Sequence, residues 1–208
     1  MQGGSPLNII IAGEESGTIR DAFAALGHNA WSCDLQPSRT PGQHYQGSWH
    51  DIHWPSFDLL IAHPVCTHLA VSGSKHFPAK RADGRQQAAI DEFMFLANAP
   101  VAMKCIEQPI SIMSARYRKP DQIVQPWQFG HESFKATCFW LTGLPKLAYT
   151  DVLTPPAKGT DEHKRWSHIH REPPGPNRAR NRSVTFAGIA GAMATQWGGQ
   201  VARALEAA

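Results

Sequence analysis

The sequence predicts one α/β domain built on a mostly parallel central sheet with helices on its faces, and three observations predict it. A β-branched apolar run at residues 7–12 meets the break Gly13-Glu14-Glu15-Ser16-Gly17. Residues 18–26 then carry Ile19, Ala22, Phe23 and Leu26 at helical spacing. A second apolar run at residues 30–34 completes a βαβ unit, which builds a parallel sheet because the crossover returns the chain in the same direction. The third is size: 208 residues, 42% apolar and 18% charged, suffice for one full core and are short for two.

Taken in order, Gly27-His28-Asn29 ends the first helix with a glycine signal. The turn before that helix is not the dinucleotide pattern Gly-x-Gly-x-x-Gly, and Glu14-Glu15 would repel a pyrophosphate. It is expected to cradle a ligand on backbone N–H groups near the helix start, and an amine or sulfonium ligand tolerates its carboxylates better. Asp34 ends the second strand about twenty residues beyond the turn, where a carboxylate accepts hydrogen bonds from both ribose hydroxyls. A solvated strand-end aspartate would look the same. Residues 45–52 predict a short third strand and its exit turn, with Asp51 able to hydrogen-bond an adenine amino group.

Residues 57–62 form a buried fourth strand that runs through His63-Pro64 and delivers Cys66 at its exposed end. Ligands of open α/β sheets bind beyond the carboxyl ends of the strands, so a nucleophile there faces the substrate. A free cysteine is equally a small buried hydrophobe, and this stretch alone does not separate the two. Residues 85–98 predict an amphipathic helix with Ala89, Ile90, Phe93, Met94 and Ala97 on one face, stopped by Pro100. Residues 101–109 are a fifth strand ending on Glu107. Residues 123–127 and 136–141 predict further short strands, the latter preceded by Lys135.

From residue 150 to residue 182 periodicity gives way to Pro, Gly, His and charge, which predicts an irregular basic insertion. Lys164, Arg165, Arg178, Arg180 and Arg182 suit phosphate oxygens there, and the Trp166 indole suits base stacking. A solvated surface loop fits the same composition. Residues 184–205 close the domain as a helix with Ile189, Ala192, Met193, Trp197, Val201 and Leu205 at helical spacing, weakened by Gly188, Gly191, Gly198 and Gly199.

The four cysteines include no Cys-x-x-Cys pair, so neither a disulfide framework nor a zinc site is expected; reduced thiols in a cytoplasm fit best. His163, His168 and His170 lack a carboxylate or thiol at ligand spacing, so no metal is expected. No apolar stretch is long enough to span a bilayer, and the first six residues lack the parts of a secretory signal and read as a short leader. A formal charge of +3 permits a nucleic-acid partner without requiring one.

A thiol and a carboxyl on neighbouring strand ends, beside a nucleotide-type turn, suggest covalent catalysis on a heteroaromatic ring. Carbon 5 of cytosine is too weak a nucleophile to take a methyl group until a thiolate adds to carbon 6. A carboxylic acid that protonates ring nitrogen 3 stabilises the resulting enamine. Glu107 is expected to serve as that acid with its pKa raised by burial, and a base within a duplex must be flipped out to reach it.

The order of these elements resembles the DNA cytosine-5 methyltransferase family, particularly its small phage and prophage members. Residues 11–17 resemble the cofactor turn, Pro64-Val65-Cys66 the Pro-Pro-Cys nucleophile loop with Ser72-Gly73 at its end, and Glu107-Gln108-Pro109 the Glu-Asn-Val motif. Lys135-Ala136-Thr137 stands where the family carries Gln-x-Arg-x-Arg, and residues 181–197 resemble the closing helix. The resemblance implies a Rossmann-like S-adenosylmethionine-dependent methyltransferase fold. It also implies S-adenosylmethionine bound by Ala12, Gly13, Glu14, Ser16, Gly17, Asp34, Asp51, Ile52 and Pro64. Catalysis would fall to Cys66, Glu107 and Lys135, and contact with cytosine-containing DNA would include Ser72. Val65 and Gln108 depart from the motifs, the family's two arginines are not reproduced, and the target-recognition domain is reduced to about thirty residues, too few for an independent core. An enzyme acting on a free cytosine nucleotide or with another one-carbon donor, and a catalytically silent nucleic-acid binding module, are the alternatives. The sequence does not fix the oligomeric state.

Overall fold

Strands form where most of the apolar runs predict them, because β-branched and apolar side chains fill a sheet buried on both faces. The strand expected at residues 123–127 is instead confined to Gln122–Val124 and gives way to a 3-10 turn at Pro126–Gln128, since proline cannot donate to the ladder. The computed structural model describes residues 5–206 except Asn177. Residues 1–4 of the expected leader and the side chains of Val201 and Leu205 lie outside the described residues.

The chain runs β1 (Asn8–Ala12), α1 (Thr18–Ala24), β2 (Asn29–Asp34), β3 (His44–Gln46), β4 (Leu59–Ala62), α2 (Phe77–Ala82), α3 (Arg85–Ala97) and β5 (Met103–Pro109). It continues α4 (Met113–Arg116), β6 (Gln122–Val124), β7 (Thr137–Thr142), α5 (Asp161–Trp166), α6 (His168–Arg171), α7 (Arg178–Ser183) and α8 (Ala187–Glu206). The seven strands form one sheet in the order β3-β2-β1-β4-β5-β7-β6. Pairings from β3 to β5 are parallel, and β7 runs antiparallel to both β5 and β6. The order reverses between β1 and β4, the point at which a doubly wound sheet opens a crevice at its carboxyl edge.

Strand alternation divides the core. Ile9, Ile11, Leu59, Ile61, Cys105, Phe139 and Leu141 face α1 and α8, while Ile10, Leu60, Ala62, Ile106, Cys138 and Trp140 face α3. Between the nucleophile loop and α3, where the sequence suggested no element, a 3-10 turn at Val71–His76 leads into α2, whose Pro78 suits a helix start. The basic insertion is less irregular than expected. It contains α5, α6 and α7, and Trp166 and Ile169 are buried. The Trp166 ring lies 5.5 Å from that of Phe134. No helix among the described residues is long and apolar enough to cross a membrane.

The glycines expected to weaken α8 differ in what surrounds them. A Cβ on Gly188 would collide with the Phe129 carbonyl oxygen, which is backbone and cannot yield, whereas a Cβ on Gly191 meets open space. Gly191→Ala should therefore stabilise the fold by about 0.5–1 kcal/mol through helix propensity. Gly188→Ala should destabilise it by about 1–3 kcal/mol through overpacking. Urea midpoints moving in the same direction would refute this assignment.

Candidate functional site at the carboxyl edge of the sheet

Parallel pairing of β4 with β5 places Ala62 beside Ile106, so the residues that follow, His63 and Glu107, emerge together. His63 Nδ1 lies 2.8 Å from Glu107 Oε2. Because β7 is antiparallel, with Thr137 paired to Pro109, its N-terminal end begins at this same edge and brings Lys135 in. Lys135 Nζ donates to the Val184 carbonyl at 2.9 Å, tying this edge to the segment that leads into α8. His63, Glu107 and Lys135, with Phe139, Ile189 and Met193, line a small, open cleft.

Cys66 sits on the loop beyond β4, and three buried side chains fix that loop by its carbonyls. Gln108 donates to Pro64 O at 2.6 Å, Lys80 to Thr67 O at 2.6 Å, and Gln86 to His68 O at 3.1 Å. The Cys66 carbonyl accepts from Leu69 and Ala70 N–H and closes the turn. The thiol is thereby presented on a braced loop, as a nucleophile requires. Burial pushes the Cys66 thiol up and the Glu107 charge adds to this, while Lys135 and Arg182 pull it back. The Cys66 thiol thus senses Glu107, Lys135 and Arg182 electrostatically. Glu107→Gln removes a negative charge facing the thiol, so alkylation of Cys66 by iodoacetamide at pH 8 should become faster; an unchanged or slower rate would count against this coupling.

Glu107 does not carry the raised pKa expected from burial. Burial does push it up, but the His63 hydrogen bond, the His63 charge and Lys135 together outweigh that and hold it below the usual carboxylate range. The correction has a simple cause: the sequence showed a carboxyl on a buried strand but not the imidazole set against it.

The first turn is also built differently from the expectation. Glu14 is buried and accepts from Ile19 N–H at 2.7 Å and Arg20 N–H at 3.2 Å, Ser16 Oγ accepts from Thr18 N–H, and Gly13 and Glu14 N–H both donate to Cys33 O. The start of α1 is satisfied by the chain's own carboxylate and does not offer free N–H groups to a ligand. Glu15 pairs with Arg39, and with Arg180 at 3.8 Å. Gly17 and Gly42 both make room for Arg20, which is 1% exposed. Its guanidinium donates to Asp21, Ser32, Ser38, the Thr40 hydroxyl and carbonyl, and Pro41 O.

Asp34 and Asp51 converge. Asp34 adjoins Cys33, and register sets Cys33 beside Tyr45, whose hydroxyl donates to Asp51, so both carboxylates lie near the end of β2. Burial, then Asp34, then Asp51 push the Cys33 thiol up to about 12. Asp34 accepts from Gln36 N–H, and Asp51 from the Tyr45 hydroxyl. Ala12 is buried in β1 between Cys33 and Ala62, so its side chain does not meet a ligand, whereas Ile52 is half-buried against the α3-side core.

The basic residues are divided. Lys164 pairs with Asp161, Arg165 with Glu132 and Glu162, and Arg178 donates to the Glu172 carbonyl. Arg182 reaches the Cys66 field, and Ser72 is exposed on the 3-10 turn. Base stacking by Trp166 is overturned, since the ring is 3% exposed beneath Phe134. His63, Lys80 and Gln86 were not singled out as site residues from the sequence. Only His63, directly ahead of Pro64, had a position that could have drawn attention. Among the described residues no group of three or more His, Cys, Asp or Glu side chains is arranged to hold a metal.

No family model matches the sequence, and no curated protein matches it. Among solved structures, one described as a candidate DNA modification methyltransferase encoded within an E. coli prophage is 14% identical, with a TM-score of 0.45. The likeness covers 65% of this chain and 46% of that one, a similarity of general plan that carries no functional argument.

Proposed function

We propose that the chain transfers a methyl group to carbon 5 of cytosine in DNA through a covalent Cys66 adduct. The observation that carries this reading is the convergence of Cys66, Glu107 and Lys135 at the carboxyl edge of adjacent strands in a doubly wound sheet. The donor set fits S-adenosylmethionine on the adenosine side: Asp34 and Asp51, clustered around Cys33, are acceptors for ribose hydroxyls and for an adenine amino group. That group supplies an electrophilic methyl when bound. Gly13, Gly17 and Pro64 shape the neighbouring backbone, whereas Glu14 and Ser16 support α1.

Cys66, as thiolate, adds to carbon 6 of the ring; Lys135 and Arg182 favour the thiolate, and Glu107 is the group assigned to ring nitrogen 3. Removal of the carbon 5 proton and expulsion of Cys66 complete the cycle. Ser72, exposed on the 3-10 turn, and the half-buried Arg182 of α7 are the contacts assigned to the DNA backbone, with Arg180 released from Glu15 when phosphate is offered.

An oligonucleotide containing 5-fluorocytosine, incubated with S-adenosylmethionine and the protein, should leave a covalent complex. Peptide mass spectrometry should place that complex on Cys66. No adduct, or an adduct elsewhere, would refute the reading. An adduct with a free cytosine nucleotide but none with DNA would move the substrate to the nucleotide.

A further inference from the structure

His63 is used by neither the core nor the chemistry above. It leaves β4 directly and lines the cleft beside Glu107, and its Nδ1 lies 2.8 Å from Glu107 Oε2. Its Nε2 is buried with no hydrogen-bond partner among the described residues. Its backbone is held against the first turn: a Cβ on Gly13 would stand 2.6 Å from the His63 carbonyl oxygen, so only glycine lets the two segments pack. The imidazole is therefore anchored through its main chain and one ring nitrogen, and the contact it makes is with the carboxyl that must deliver a proton.

We propose that His63 is a positioning residue that orients Glu107 and supplies the proton that Glu107 passes to the cytosine ring when Cys66 adds; the inference rests on the reading of Cys66 and Glu107 given above. The step balances. The Cys66 thiolate pair forms the bond to carbon 6, the carbon 5–carbon 6 π pair becomes a carbon 4–carbon 5 double bond, and the carbon 4–nitrogen 3 π pair takes a proton at nitrogen 3. Glu107, a carboxylate at the outset, takes that proton from Nδ1 of the His63 imidazolium and passes it to nitrogen 3. The site begins with thiolate, imidazolium and carboxylate and ends with a neutral adduct, a neutral imidazole and a carboxylate, a net charge of −1 throughout by formal count.

The titratable groups facing the pair are Lys135 ahead of β7, Cys66 on its loop, Cys105 on β5 and Cys138 on β7, with Arg182 of α7 acting on Cys66. The α8 side offers Thr185, Phe186, Ile189 and Met193, which do not titrate. Burial pushes all three thiols up, so histidine is the side-chain type in this set that ordinarily changes charge between about pH 5 and 8.

The test is the rate of adduct formation with 5-fluorocytosine DNA from about pH 5.5 to 9 in the wild type and in His63→Asn, whose side-chain N–H can still donate to Glu107. In the wild type the logarithm of the rate should be level between the histidine and thiol ranges. Each pH unit there gives about tenfold more thiolate and about tenfold less imidazolium. His63→Asn should lose the level region, climb about tenfold per pH unit, and fall about 100-fold below wild type at the acid end, with KM for DNA unchanged. A variant that keeps the level region and the wild-type rate overturns the proposal. If the wild type forms no adduct, the reading of the reaction fails, and carbon-13 NMR titration of the Glu107 carboxyl still tests His63. His63→Leu should raise the Glu107 midpoint and His63→Asn should raise it less. An unmoved midpoint overturns the positioning role, and should the leucine variant not fold, His63→Asn alone supplies the comparison with wild type.

Discussion

Cys66→Ser should reduce methyl transfer by at least about 10³-fold and eliminate the 5-fluorocytosine adduct while leaving the fold intact. A serine hydroxyl is almost wholly protonated at neutral pH and, unlike a thiol, carries no appreciable nucleophilic anion. The substitution is nearly isosteric, and the loop is braced through the carbonyls of Pro64, Thr67 and His68, which it does not touch. The remaining cysteines offer no bypass. Burial pushes Cys33 up to about 12, Cys138 up to about 11, and Cys105 well above the ordinary range. Thiol labelling of the native protein should therefore reach Cys66 first and disappear in the serine variant. Tritium transfer from labelled S-adenosylmethionine, measured with circular dichroism on the same samples, checks both halves. Activity retained in Cys66→Ser would remove the covalent mechanism.

Arg20→Met should destabilise the protein by about 3 kcal/mol, lowering its melting temperature by about 6–12 °C. Methionine fills much of the volume but leaves Ser32, Ser38, the Thr40 hydroxyl and two backbone carbonyls without the guanidinium that satisfies them. Asp21, with a side chain 44% exposed, can turn to water, which keeps the loss below that of a fully buried ion pair. Since Arg20 gathers the segment between β2 and β3, the variant should also loosen the Asp34 end of the crevice. Urea denaturation followed by tryptophan fluorescence gives the energy. A midpoint shift equivalent to under about 1 kcal/mol would show that the network is replaced by water.

Much of the frame was legible in the residues. The apolar runs that became β1, β2, β4, β5 and β7 stand out because a strand buried on both faces must be apolar along its length, and the α1, α3 and α8 stretches show their 3.6-residue spacing. Placing a thiol beyond one strand and a carboxyl at the end of another needed nothing but strand boundaries. The short elements α2, α5, α6 and α7 were not legible. Helices this short draw stability from what they pack against, as Trp166 does on Phe134, and such contacts carry no periodic signal.

The sequence by itself determined the strand order along the chain, the cysteine and carboxyl at the strand ends, and the absence of a dinucleotide-type turn, because each depends on local composition and spacing. Only the tertiary structure decided which groups meet. Parallel register set His63 against Glu107 and reversed the direction of its pKa shift, and the antiparallel β7 brought Lys135 to the same edge. The fold also assigned Glu14 to the start of α1 and gave Gly188 and Gly191 opposite meanings within one helix. These are distances between residues far apart in the chain, and charge, burial and close approach depend on distance rather than on sequence order.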